Sequence, residues 1–250
     1  MTKEKERILL KITSIIRMCD KDKNVISSAT CFFCKDKKDN SFFVTNNHVI
    51  EQSNYCLLYL TLKDTNNGAG YHDEVFCDIE NHIYKHQNYD LCMVNINHIR
   101  DSLLCKKIEP IISYVPADKI TSDFNEFNFI ETIYMIGYPN RIINESINYP
   151  VIRKGITATG LCTLLNDMHA FIIDIPTYGG SSGSSIFVIE DDKIKLIGIV
   201  SEKYQEANYV HKKSGDKYIA DTTERVYVPD GLGYAIKSNI LLELLNSISD

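Results

Sequence analysis

A chain of 250 residues with 44% hydrophobic and 24% charged side chains has a globular composition, able to bury one large core or two small ones. Its formal charge of -6 and pI of about 5.7 exclude a broadly basic face as the default, so nucleic acid is not an expected partner. No run of about 18 apolar residues exists to span a membrane, and residues 1–7 mix acids with bases, unlike a signal peptide. The expected setting is cytoplasmic and reducing, with the eight cysteines as free thiols rather than a disulfide framework.

Taken in chain order, the elements are short apolar stretches rich in Ile, Val, Phe and Tyr. They fall at residues 8–18, 29–34, 41–44, 55–62, 75–79, 91–96, 130–136, 155–165, 170–175, 186–189, 196–200 and 233–236. Clusters of Asn, Asp, Gly and Lys separate them. That pattern predicts an all-β barrel or sandwich. Asn66-Asn67-Gly68 predicts a hairpin turn. Residues 113–123, which include Pro116, suit a link between two β units. Residues 201–230 are polar and contain Gly215 and Pro229. They are expected to form a long loop that gates substrate. The last element is a helix. Ser238 is its expected N-cap, and Ile240, Leu241, Leu244, Leu245 and Ile248 form an apolar stripe at helical spacing.

The chemistry concentrates in Tyr178-Gly179-Gly180-Ser181-Ser182-Gly183-Ser184-Ser185. Gly-X-Ser-Gly ahead of an apolar strand presents a serine hydroxyl on a tight turn. Glycines permit backbone angles that let successive N–H groups converge, and such a pair stabilises a developing oxyanion. A serine nucleophile needs a base, and the base needs an orienting partner. His48 directly follows the stretch Ser41-Phe42-Phe43-Val44-Thr45, and Asp90 directly precedes Leu91-Cys92-Met93-Val94. The order His48, Asp90, Ser182 puts base and orienter in the first half and nucleophile in the second.

These segments resemble the trypsin-like serine peptidases, closest in motif style to bacterial HtrA-like domains. Residues 29–50 are similar to the histidine segment, Tyr89-Asp90-Leu91 to the aspartate segment, and Ile136-Gly137-Tyr138-Pro139 to the segment that opens the second barrel. Arg153-Lys154-Gly155 and Asp174 also fall where such sequences often have similar residues. Gly180-Ser181-Ser182-Gly183 resembles the nucleophile loop. Residues 196–201 and 231–236 resemble the strands that wall the substrate pocket.

The resemblance implies a chymotrypsin-like double six-stranded β-barrel with a C-terminal α-helix. The first barrel is expected over residues 1–115, the second over 116–237 and the helix over 238–250, together one peptidase domain. It further implies Ser182 as nucleophile, His48 as base, Asp90 as orienter, and the Gly180 and Ser182 N–H groups as oxyanion hole. Loss of one such donor costs about 3–4 kcal/mol of transition-state stabilisation. Ser201 matches the position that commonly hydrogen-bonds the aspartate. Ile175, Thr177, Ser201, Glu202 and Gly233 are expected at the substrate pocket. The implied activity is endopeptidase hydrolysis of a protein or peptide, with a separate activator or regulatory partner. The alternative is a protease-fold module that holds peptides without cutting them. No PDZ-like domain is expected.

The pattern also has departures. Ser181 replaces the aspartate that pairs with a new N-terminus in trypsin-type zymogens. Ser184 and Ser185 replace the commoner Gly-Pro, and Ala29 and Cys31 replace glycines. No carboxylate lies near Ile175, Pro176 and Thr177, so a trypsin-like preference for Lys or Arg is not implied. Val49 stands where secreted relatives carry a stapling cysteine. Cys31-Phe32-Phe33-Cys34 has no second ligand pair, and positions three apart on a strand face opposite sides. His82 and His86 read as solvated loop residues. No metal and no cofactor is expected.

Overall fold

The computed structural model describes residues 3–141, 148–190, 193–214 and 217–248; at 3–5, at 141 and over the described part of 202–230 it describes the backbone alone. A first group of elements runs α1 (Lys3–Ile12), β1 (Thr13–Cys19), β2 (Val25–Lys35), β3 (Ser41–Thr45), α2 (Asn47–Ile50), β4 (Tyr55–Asp64), β5 (Gly70–Asp78), β6 (Ile83–Lys85), β7 (Cys92–Asn95), α3 (Asn97–Cys105), β8 (Ile108–Pro110) and β9 (Val115–Pro116). A second group runs β10 (Thr132–Gly137), β11 (Val151–Thr157), β12 (Ala170–Asp174), β13 (Ser185–Glu190), β14 (Lys193–Ser214), β15 (Lys217–Lys237) and α4 (Ser238–Ser247).

The first group forms a nine-stranded sheet ordered β5-β4-β1-β2-β3-β7-β6, with β8 added beside β4 and β9 beside β2. The second is a closed six-stranded barrel, β10-β11-β12-β15-β14-β13. This is the expected all-β architecture, with more strands in the first unit than six.

Strand alternation builds three apolar clusters. On β2, Cys31 and Phe33 point into the interior of the first sheet, while Phe32 and Cys34 point to the seam between the units. The two cysteines of Cys31-Phe32-Phe33-Cys34 therefore serve different cores. On β3, Phe43 goes one way and Phe42 and Val44 the other, so the strand is buried on both faces. Across the seam these residues meet Ile136, Phe187, Ile199 and Ile236 of the second barrel. A third cluster, with Met135, Phe171, Ile173 and Ile186, fills that barrel. α4 lays Ile240, Leu241, Leu244 and Leu245 into the seam cluster together with Leu9 and Ile12 of α1. Truncating the fully buried Leu241 to Ala is expected to cost about 2–5 kcal/mol.

The hairpin at Asn66-Asn67-Gly68 joins β4 to β5, with Gly68 at φ +73°. Other boundaries differ from the sequence reading. The apolar stretch 8–18 is helix to Ile12 and strand only from Thr13. The stretch 155–165 is strand only to Thr157, the ladder beginning earlier at Val151. Ser238 is the first helical residue rather than the cap; Lys237 takes the cap position, and the Ser238 hydroxyl donates to the Thr121 carbonyl at 2.8 Å. The largest correction concerns residues 201–230. Residues 201–214 and 217–230 are not a loop but an antiparallel ribbon, β14 pairing with β15 out to Ser214 and Lys217; Gly215 lies outside the described residues. Among the described residues, no helix is long and apolar enough to cross a membrane.

Candidate active site

His48 enters the site because α2 starts directly after β3. Asn46 sits at the N-cap with extended angles, and its side chain reaches sideways instead of capping. Its Nδ2 donates to the Asp90 carbonyl at 2.7 Å, and the neighbouring Asn47 Nδ2 donates to the Tyr89 carbonyl at 3.0 Å. Two adjacent amides thus fasten the turn carrying His48 to the turn carrying Asp90. Tyr89 extends the fastening to the second barrel, since its hydroxyl accepts the His169 N–H at 3.0 Å.

Asp90 faces His48 with both oxygens. Oδ1 accepts the His48 backbone N–H at 3.0 Å, and Oδ2 lies 2.7 Å from Nδ1. Oδ2 also accepts the Ser201 hydroxyl at 2.8 Å. Burial pushes the Asp90 carboxyl up, but the hydrogen bonds from His48 and Ser201 outweigh it and hold the group below its ordinary value. An ionised Asp90 fixes the proton on Nδ1 and leaves the Nε2 lone pair free to accept. Nε2 lies 3.1 Å from Ser182 Oγ. The Ser182 hydroxyl has one proton and a second acceptor, the Ser201 carbonyl at 3.4 Å.

Ser201 reaches Asp90 through a ladder irregularity. Val200 of β14 pairs with Ala235, whereas Glu202 already pairs with Tyr234, so the register shifts at Ser201. A bulge re-aims the extra side chain, here toward the carboxylate.

The loop that carries Ser182 is pinned from both units. The Thr30 N–H donates to the Ser182 carbonyl at 2.9 Å. Thr30 Oγ1 accepts the Tyr138 N–H at 2.9 Å and donates to the Gly180 carbonyl at 2.8 Å. The Gly183 N–H donates to the Val200 carbonyl at 2.9 Å. Gly183 has φ +80°, and a Cβ there would lie 2.1 Å from the Thr30 carbonyl oxygen; only glycine fits. Gly180 has φ +88°. The Gly179 carbonyl accepts the Asn140 N–H at 2.6 Å, and the Ser181 carbonyl accepts the Ser184 N–H at 3.0 Å. In a trans peptide N–H and C=O point opposite ways, so the Gly180 and Ser182 N–H groups turn away from those partners. Among the described residues neither N–H has an acceptor.

The expected pocket residues divide. Thr177 and Gly233 meet: a Cβ on Gly233 would lie 2.5 Å from Thr177 Cγ2, and Thr177 Oγ1 donates to the Leu232 carbonyl at 3.3 Å. Ser201 faces Asp90. Ile175 is instead 2% exposed within the core of the second barrel, against Gly155. The Glu202 side chain lies outside the described residues. Thr30, Asn46, Asn47 and Tyr89 are support that the sequence reading left without a role; a strand threonine and two turn asparagines carry no distinguishing signal.

His82 stacks on His98 with ring centroids 3.7 Å apart, and His86 Nε2 lies 3.7 Å from Glu243 Oε2. Among the described residues no cluster of three or more His, Cys, Asp or Glu is placed to hold a metal ion.

No protein-family model matches the sequence, and no curated protein sequence matches it significantly. Solved structures do. The protease Anisep from Arthrobacter nicotinovorans superposes with a TM-score of 0.57 and 13% identity over 95% of each chain. A serine endoprotease from Yersinia pestis gives 0.57 and 14% over 99% of this chain and 67% of that one. The thermostable serine protease AL20, from an extremophilic microorganism, gives 0.54 and 10% over 97% and 98%. At these identities the likeness is one of fold. The chain has the fold of the trypsin-like serine peptidases.

Proposed function

We propose that the protein is a serine endopeptidase that hydrolyses peptide bonds through an acyl-enzyme. The observation that carries this reading is the unbroken series Ser201, Asp90, His48, Ser182, with 2.8, 2.7 and 3.1 Å between successive polar atoms. In it Ser182 Oγ attacks the substrate carbonyl as its proton passes to His48 Nε2. The imidazolium is stabilised by Asp90 and then returns the proton to the leaving amine. The Gly180 and Ser182 N–H groups take the oxyanion, a role supported by neither having an acceptor among the described residues.

The two units divide near residue 115, so that substrate lies along their seam. The setting is the cytoplasm, a reading supported by eight free cysteines, six of them buried. Substrates are proteins or peptides, and a separate partner restrains or activates the enzyme.

The test is labelling by a fluorophosphonate probe, with Ser182→Ala as blank. Native protein is expected to label and the variant not. A folded native protein that stays unlabelled, yet binds peptides, would leave the peptide-holding alternative.

A further inference from the structure

Arg153 lies on β11, opposite Met135 of β10. Its charge is half-buried without a carboxylate. Its Nε is buried and has no hydrogen-bond partner. Nη2 has only the Met135 sulfur, at 3.8 Å, a weak acceptor. Among the described residues it has no ion pair; Asp174, which β12 sets opposite Ile156 of the same strand, is exposed and makes none with it. Burial works against the charge and Tyr178 works for it. An arginine stays charged regardless, so among the described residues the desolvation is uncompensated by any anion.

The position of this cation matters more than its cost. The guanidinium lies 5.4 Å from the centre of the Tyr178 ring. Tyr178 is four residues before Ser182, next in chain to Thr177. There Leu232 and Gly233 of β15 close on the loop. The Tyr178 N–H is held by Ser181 Oγ at 3.1 Å, so the ring is carried by the same rigid turn that presents Ser182. The remaining loop residues there, Ile175, Pro176 and Thr177, bring no charge. A guanidinium matches a carboxylate with a planar fork of donors.

We propose that Arg153 reads an acidic substrate, taking the carboxylate of the Asp or Glu side chain whose own carbonyl Ser182 attacks. This deepens the peptidase reading and rests on it. The chemistry at Ser182 is unaltered; only the choice of residue is set, by a charge-assisted hydrogen bond to the half-buried guanidinium beside Tyr178.

The experiment compares matched peptides with Glu or Gln at the residue before the cut, using native protein, Arg153→Lys and Arg153→Met. The Glu/Gln ratio of kcat/KM is expected to exceed one in native protein. It should fall by about 10- to 100-fold in Arg153→Met, the range of a hydrogen bond to a charged group. Arg153→Lys should keep the preference in part. Thermal melts of the three proteins separate misfolding from lost selectivity. A native ratio at or below one, or a ratio equal in native and Arg153→Met protein, overturns the proposal. If native protein cuts nothing, the peptidase reading fails. The same peptides are then measured by equilibrium binding, where a Glu preference lost in Arg153→Met upholds the carboxylate site and its absence overturns it.

Discussion

Ser201 donates its hydroxyl to Asp90 Oδ2 at 2.8 Å across 111 residues of chain, from a register shift in β14. The same residue offers its carbonyl to Ser182 Oγ at 3.4 Å. One bulged residue therefore touches both ends of the hydrogen-bonded series. Replacing Ser201 by Ala removes a donor from a carboxylate that burial already disfavours. A hydrogen bond to a charged group contributes about 1.5–3 kcal/mol. We expect kcat/KM to fall by roughly 10- to 100-fold in Ser201→Ala, with its acid limb displaced to higher pH because a carboxylate that has lost a donor attracts the imidazolium more strongly. Steady-state kinetics over pH check this; an unshifted profile with unchanged rate would remove Ser201 from the machinery.

Thr30 is the second support. Its hydroxyl accepts from Tyr138 and donates to Gly180, and its N–H holds the Ser182 carbonyl. Thr30→Val keeps the shape and the N–H but leaves a buried N–H and a carbonyl unpaired. Each orphaned group costs about 1–3 kcal/mol. We expect a lower Tm and a larger loss in kcat than in KM, since in the proposed peptidase reading Gly180 carries one of the N–H groups that take the oxyanion. Melting curves and single-turnover acylation rates measure the two effects separately.

Residues legible in the sequence share a physical cause. His48, Asp90 and Ser182 are polar groups at the edges of apolar strands, and a strand edge is where a buried scaffold hands a side chain to a cleft. Gly183 was legible because few conformations suit that turn. The link from Ser201 to Asp90 was reachable only through resemblance to the peptidase family. The bulge behind it is a register event between β14 and β15 and leaves no mark in either segment. Thr30 reads like any strand threonine. Residues 201–230 lack a strict apolar alternation, so nothing in them distinguishes a two-stranded ribbon from a loop. Leu9 and Ile12 sit at helical spacing, but they run straight into the apolar β1, which hid the end of α1.

The pH dependence follows from Asp90. Its carboxyl is held below the ordinary value of 3.8. A group depressed in the folded state contributes stability that is full above its ordinary value and is lost as pH falls through the folded value. Between about pH 5 and 8, where histidines titrate, Asp90 therefore stays charged and its contribution is constant. We expect kcat/KM to fall as pH drops through that range, because imidazole loses its acceptor lone pair, while the Tm difference between native and Asp90→Asn protein does not shrink until pH falls below about 4. Asp90→Asn should also lower kcat by about 10⁴-fold, because the amide favours the wrong imidazole tautomer. Melts and rates collected from pH 3 to 8 decide it: a Tm difference already shrinking at pH 6 would mean that Asp90 is not held in its ionised form.

Gly183 joins the fold to the chemistry most tightly. At φ +80° any L side chain is strained, and a Cβ would collide with the Thr30 carbonyl oxygen at 2.1 Å and with Thr45 Oγ1 at 2.6 Å. Those atoms are themselves bonded, Thr45 Oγ1 donating to the Thr30 carbonyl at 2.9 Å, so neither can move without breaking that bond. The left-handed strain alone is about 1–3 kcal/mol, and the clash with backbone adds to it. A change of 1 kcal/mol shifts the Tm of a domain of this size by about 2–4 °C, so Gly183→Ala is expected to melt at least about 5 °C lower. The displaced backbone is the one that carries Ser182 into line with His48 Nε2. Fluorophosphonate labelling should therefore slow even below the melting temperature, where circular dichroism still reports a folded protein. A Gly183→Ala protein that labels at the native rate with an unchanged Tm would show that this turn does not hold the nucleophile in place.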